Sequence, residues 1–305
     1  PGGTGVGLFG FVENATLRNI VLNDLTIVGA ERVGGVAGNK VEGTIQDISV
    51  SGSVTGDKIV GGVVASNNGG TVRDISASGI VNGSNGNVGG LIGQSRGEVV
   101  TASASVAVTG GPQVGGLVGV NQGTIRNASA SGSVTGARKD DVGGLVGDNQ
   151  GTLRDASASG RVSGAEDVGG LAGDNDGTIR DVTASGGVTG TFFAAGGLVG
   201  DNDGGTIANA TASGDVTGAE VVGGLAGRNE VTIKNATASG RVSGADDVGG
   251  LVGANAGTVV ASSGVGDVNG SNQVGGLVGD NDEGVISRST ASGTVTGGDN
   301  VGGLV

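Results

Sequence analysis

Apolar residues recur along this chain in short alternating runs and never at helical spacing. The stretch from Val114 to Ala137 reads VGGLVGVNQGTIRNASASGSVTGA. Val114, Leu117, Ile125, the small Ala128 and Ala130, and Val134 fall on one side of the alternation. Arg126, Ser129, Ser131 and Thr135 fall on the other, and alternation of period two marks half-buried strands. The pattern predicts three short strands per unit, with turns at Asn121 to Gly123, around Asn127, and at Thr135 to Ala137.

The same unit returns along the chain. A Gly doublet stands at Gly34-Gly35, Gly61-Gly62, Gly89-Gly90, Gly115-Gly116, Gly143-Gly144 and Gly169-Gly170. It continues at Gly196-Gly197, Gly223-Gly224, Gly249-Gly250, Gly275-Gly276 and Gly302-Gly303, always 26 to 28 residues apart. Repeats of this length mean a stacked architecture. One such unit has almost no interior, and its backbone donors and acceptors have no partners. Stacking the next unit about 4.8 Å away pairs each strand with its equivalent and sets Leu on Leu and Val on Val. The fold class this predicts is all-β: a single right-handed parallel β-solenoid (β-helix) of about 11–12 rungs, 26–28 residues per rung. Residues 1–32 read as an irregular, more apolar first rung, with Leu8, Phe9, Phe11, Leu17, Ile20, Leu22, Leu25 and Ile27. Residues 33–305 form the repeat solenoid. Pro1 is not Met and Val305 falls inside a repeat, so the chain reads as a fragment of a longer one.

Composition sharpens the picture. Gly contributes 72 of 305 residues and aromatics only 1%, all Phe, so the core must be thin and regular. Gly at this density argues against helix, costing about 0.5–1 kcal/mol per residue relative to Ala. Its expected use here is at corners that need positive φ. The net charge of −13 argues against nucleic acid and anionic membranes as partners. No apolar run reaches the length of a membrane span. The absence of His, Cys and Tyr removes most general acid–base and nucleophile arrangements, so the chain reads as not an enzyme.

The core string G-G-L-[VA]-G-x-N-x-G-x-[IVL] resembles the GLUG repeat. It stands at Gly115 to Ile125 and recurs at Gly143 to Leu153, Gly169 to Ile179 and Gly249 to Val259. Early copies depart from it: Val63, Val64 and Ala65 follow Gly61-Gly62, and Ser95 replaces the Asn. The GLUG repeat occurs in bacterial and archaeal surface proteins, including immunoglobulin A peptidases and filamentous adhesin-like proteins. The resemblance implies an extracellular or cell-surface repeat module, a stalk or adhesin segment, and supplies no catalytic residues. Its partners would be other surface or extracellular macromolecules.

Four features carry candidate chemistry. The first is a column of Asn at Asn39, Asn67, Asn121, Asn149, Asn175, Asn202, Asn229, Asn255 and Asn281, suited to a stacked amide ladder. The second is the acidic turn G-D-N-D-G. Its carboxylates Asp174 and Asp176, with Asp201 and Asp203 one rung above, form a candidate metal site for Ca²⁺. Against it stands the reading of these turns as solvated edges, because Arg228 and Ala254 interrupt the acidic column. The third is the hydroxyl pair in [ST]-A-S, from Ser129/Ser131 to Thr290/Ser292, whose regularity raises ice binding as an alternative. Ice-binding solenoids usually use Thr in both columns, and here the second is Ser. The fourth is the set of sequons at Asn14, Asn127, Asn209 and Asn235, where Asp in other units points to turn chemistry instead. Two places break the repeat, Phe192-Phe193 and Arg138-Lys139-Asp140-Asp141. A polysaccharide-acting β-helix enzyme, the remaining alternative, would need a cluster of repeat-breaking acids, whereas the acids here follow the repeat.

Overall fold

The computed structural model describes residues 5–137 and 141–305, so the turn read at Arg138, Lys139 and Asp140 lies outside the described residues. Among them there is no helix. The described residues form forty-three strands that stack into parallel sheets, each pairing with strands one turn before or after. The chain is a β-solenoid of about eleven turns.

One turn shows the plan. Gln113–Gly115 lies in a first sheet, Val118–Asn121 in a second, and Thr124–Ala130 with Val134–Gly136 in a third. The three faces match the expected number, but their corners differ from the sequence reading. Val114 to Val120 is not one strand: the chain bends at Gly116-Leu117 and changes sheet. Around Asn127 the strand is kinked, not ended. Asn127 takes φ +53° inside it, as do its equivalents Asp155, Asp181, Asn209 and Asn235 at +51° to +56°. Asn and Asp tolerate this left-handed conformation better than other residues with a Cβ. All four sequon Asn, Asn14 included, have positive φ. Backbone geometry thus accounts for Asn at these positions.

Register is unbroken. In the first sheet Val33 pairs with Val60, Val60 with Val88, and so on through Val114, Val142, Val168, Ala195, Val222, Val248 and Val274 to Val301. Leu117, Leu145, Leu171, Leu198, Leu225 and Leu251 sit at the bend and are fully buried, forming one inward line. Each Leu amide donates to the next Leu carbonyl, as in Leu145 N to Leu171 O at 2.8 Å. The first rung is more regular than its sequence suggests. Thr16–Val28 pairs with Thr44–Thr55 in register apart from one shift between Leu22 and Leu25.

The Gly doublets are used differently from the expectation. None of these glycines has positive φ; their lack of a Cβ serves close approach. A Cβ on Gly143 would lie 1.8 Å from Val146 O, and one on Gly144 would lie 2.1 Å from Gly170 O. First and second sheets therefore meet backbone to backbone around the bend. Across the core, Ala158 faces Gly144, its Cβ 3.2 Å from where a Gly144 Cβ would be. The pairs Ala130–Gly116, Ala184–Gly170 and Ala212–Gly197 repeat this at 3.2 Å. Small residues on both walls set the narrow cross-section. Ala158→Leu puts three carbons into this gap and should destabilise by about 1–3 kcal/mol. Equal melting temperatures for variant and parent would show that the Ala wall yields freely.

The aromatic break is a local corner. Phe192 is exposed and Phe193 half-buried, and both amides donate to Ala165 O, at 2.9 and 3.2 Å.

Candidate functional site

The bend at the Gly doublet places a crowded polar edge beside the core. In D-V-G-G-L-V-G-D-N, the residue two before the doublet lies beside the residue five after the first Gly of the next turn: a Cβ on Gly173 would lie 2.5 Å from Asp141 C. Asp141 and Asp167 occupy the first position and pair in register. Asp148, Asp174 and Asp201 occupy the second and also pair in register, followed by Arg228. Asp176 and Asp203 sit two residues further on, at the turn.

Asp148, Asp174 and Asp176 converge: one carboxylate oxygen from each lies within 4.8 Å of the others. The set read from sequence is thereby regrouped. Asp174 and Asp176 are joined by Asp148, which the sequence reading did not include. Asp203 acts on Asp176 and Asp174 by charge, and its carboxyl shares a hydrogen bond with that of Asp176. Asp201 is engaged elsewhere: Arg228 Nε donates to its Oδ1 and Oδ2 at 3.0 and 2.9 Å, and Nη2 donates to Oδ2.

This edge is solvated only on its outer side, where Asp176 and Asp203 are exposed and Asp174 is half-buried. Asp148 is only 9% exposed and Asp201 6%, while Asp176 lies at the open side. Asp148 Oδ2 accepts from Gln150 Nε2 at 2.8 Å. Oδ1 of Asp148, of Asp174 and of Asp167 is buried without a hydrogen-bond partner. Two like charges 4 Å apart repel by about 4 kcal/mol at an effective dielectric of about 20. Burial, reinforced by Asp203, Asp141, Asp148 and Asp176, therefore pushes the Asp174 carboxyl up to about 8. Burial pushes Asp167 up to about 7, with Asp201 and Asp141 adding to it. Asp148 rises to about 6, chiefly from burial, with the Gln150 hydrogen bond opposing.

The Asn column is a second polar system, fully inside. Asn121 Nδ2 donates to Asn149 Oδ1 at 2.8 Å, and the pattern repeats through Asn175, Asn202, Asn229 and Asn255 to Asn281 at 2.7–2.8 Å. Seven amides align head to tail, and such chains polarise one another favourably. The column departs from the sequence reading at its start. Asn39 pairs with Ser66, and the next residue, Lys40, stands opposite Asn67. Lys40 is fully buried; its Nζ donates to Asn67 Oδ1 at 2.9 Å and to Gly69 O. Burial, partly offset by Glu42, lowers the Lys40 ammonium to about 8. Asn67 Nδ2 in turn donates to Ser95 Oγ at 3.0 Å. Lys40 replaces an Asn of the repeat, and that substitution was its signal in the sequence.

The hydroxyl columns are ordered only in part. Ser129, Ser157, Thr183, Thr211 and Thr237 stay in strand register, whereas Ser131 and Ser159 fall just past the strand ends.

Comparison with known proteins agrees with the repeat. The family model of the GLUG motif matches residues 110–135, 193–217, 218–243 and 270–296. No curated protein and no solved structure matched the chain. Each matched stretch covers about one turn, and the unbroken register carries the same pattern through the turns between them. The chain is a GLUG-repeat protein folded as a parallel β-solenoid.

Proposed function

We propose that this segment is a non-catalytic spacer of an exported surface protein, a stiff rod that holds other regions away from the cell or contributes to adhesion. The observation that carries this reading is the register of the Val column from Val33 to Val301, with no turn interrupted by an inserted domain. A rod of this kind gains reach with every turn, at about 4.8 Å each. The acidic surface suits a module that must stay soluble and separate from its neighbours. The side chains that break the pattern, Phe192 and Lys40, are single residues in a corner and inside the core, and neither gathers acids into a cleft.

Excision of residues 143–168 removes one turn of 26 residues and rejoins Val142 to Gly169 in the same D-V-G-G-L string. The shortened protein should fold, with scattering that reports a rod about 4.8 Å shorter. Proteolytic shaving of intact source cells should release the segment. Attachment of those cells should fall with the number of turns removed, whichever turns they are. Retention inside the cell, or loss of attachment from one particular turn alone, would overturn the spacer reading.

A further inference from the structure

We propose that Asp148, Asp174 and Asp176 form a binding site for a single hard divalent cation, Ca²⁺, at the edge between the first and second sheets. Two separate observations point there. One is convergence: three carboxylates from two successive turns offer oxygens within 4.8 Å of one another, a span that one ion with ligands at 2.3–2.6 Å can bridge. The other is an unmet demand. Asp148 is nine-tenths buried, and its Oδ1, like Asp174 Oδ1, has no hydrogen-bond partner. A buried carboxylate oxygen left in that condition is costly, and a cation is the ligand that suits it.

The surroundings favour a cation over a built-in counter-charge. Arg228, the nearest cationic side chain in register, is spent on Asp201 and Glu230. Asp141 and Asp203 add negative potential at Asp174. The ligand set is all oxygen, which selects hard ions over Zn²⁺ or Cu²⁺. Asp176 is exposed, so water has room to complete a shell of six to eight oxygens on that side. Strand register fixes Asp148 and Asp174, while Asp176 lies on the turn and can adjust. That mixture fits the loose geometry of Ca²⁺ better than the strict octahedron of Mg²⁺.

The experiment uses the whole chain, stripped with a chelator. The chain lacks Trp and Tyr, so melting is followed by far-UV circular dichroism. Calorimetric titration with CaCl₂ should show one ion per chain, and millimolar Ca²⁺ should raise the melting temperature beyond NaCl of matched ionic strength. Asp174→Asn should weaken Ca²⁺ binding at least tenfold while leaving the cation-free protein at least as stable, since it removes a repelled charge without changing volume. Asp282→Asn removes an equal charge from an acidic turn remote from the cluster and should leave binding intact. Three results would each overturn the proposal: no calcium-specific rise at pH 8, equal loss in both variants, or unchanged binding in Asp174→Asn. The last would show that Ca²⁺ binds elsewhere on the chain.

Discussion

Gly143→Val should unfold the middle of the solenoid, at a cost of at least about 3 kcal/mol, the upper end of what overpacking costs. Its Cβ would lie 1.8 Å from Val146 O, 2.7 Å from Ala172 Cα and 2.8 Å from Gly173 N. All three atoms are backbone and are held by hydrogen bonds to neighbouring turns, so no rotamer change relieves the contact. Movement of that backbone would pull Leu145 and Leu171 off their shared line. The control is Gly187→Ala, where a Cβ meets only Asp215 O at 3.7 Å. That change should be neutral or stabilise by about 0.4–1 kcal/mol through the unfolded chain. Urea midpoints followed by circular dichroism separate the two. A Gly143→Val midpoint as high as that of Gly187→Ala would mean the sheets do not meet backbone to backbone.

Cutting the amide ladder should cost nearly as much. Asn149→Ala leaves Asn175 Oδ1 without its donor and Asn121 Nδ2 with only its 3.4 Å contact to Gly123 O, in residues with no solvent exposure. Each orphaned buried group costs about 1–3 kcal/mol, so the sum should be about 2–4 kcal/mol. Asn149→Asp distinguishes a broken ladder from lost packing. Its protonated carboxyl can accept from Asn121 and donate to Asn175, so it should nearly match the parent at low pH. Burial raises the folded pKa of such a group, and its stability should fall as pH rises above about 4. Asn149→Ala should show no added pH dependence. A similar, pH-independent loss in both variants would argue that volume, not hydrogen bonding, holds this column.

The amide ladder also shows how far a sequence pattern reaches. Eight of the nine Asn could be aligned by counting from the Gly doublet, because stacking places equal offsets in equal places. Asn39 broke the rule by one residue. The same count puts Lys40 in the place opposite Asn67, and the pairing of Ala37 with Val64 agrees. The acidic edge was half legible in the same way. Asp174, Asp176, Asp201 and Asp203 follow a visible G-D-N-D-G string. The half-burial of Asp174, the burial of Asp201 and its diversion to Arg228, and the arrival of Asp148 depend on how sharply the chain bends at Gly-Leu.

What the sequence determined by itself was everything that period and alternation control: parallel stacking, about eleven turns, the inward Leu, Val and Ala columns, and the GLUG identity. Those properties follow from equal spacing, since a repeat that buries one face can satisfy its backbone only against its own copy. The tertiary structure alone decided where the corners fall and what meets across them. Glycine permits either a left-handed turn or a close contact, and the sequence does not say which. The doublets take the close contact, and that choice sets Asp141 beside Gly173 and Asp174 of the next turn. Charge, burial and the unpaired carboxylate oxygens of that edge all descend from a backbone contact too short to admit a single Cβ.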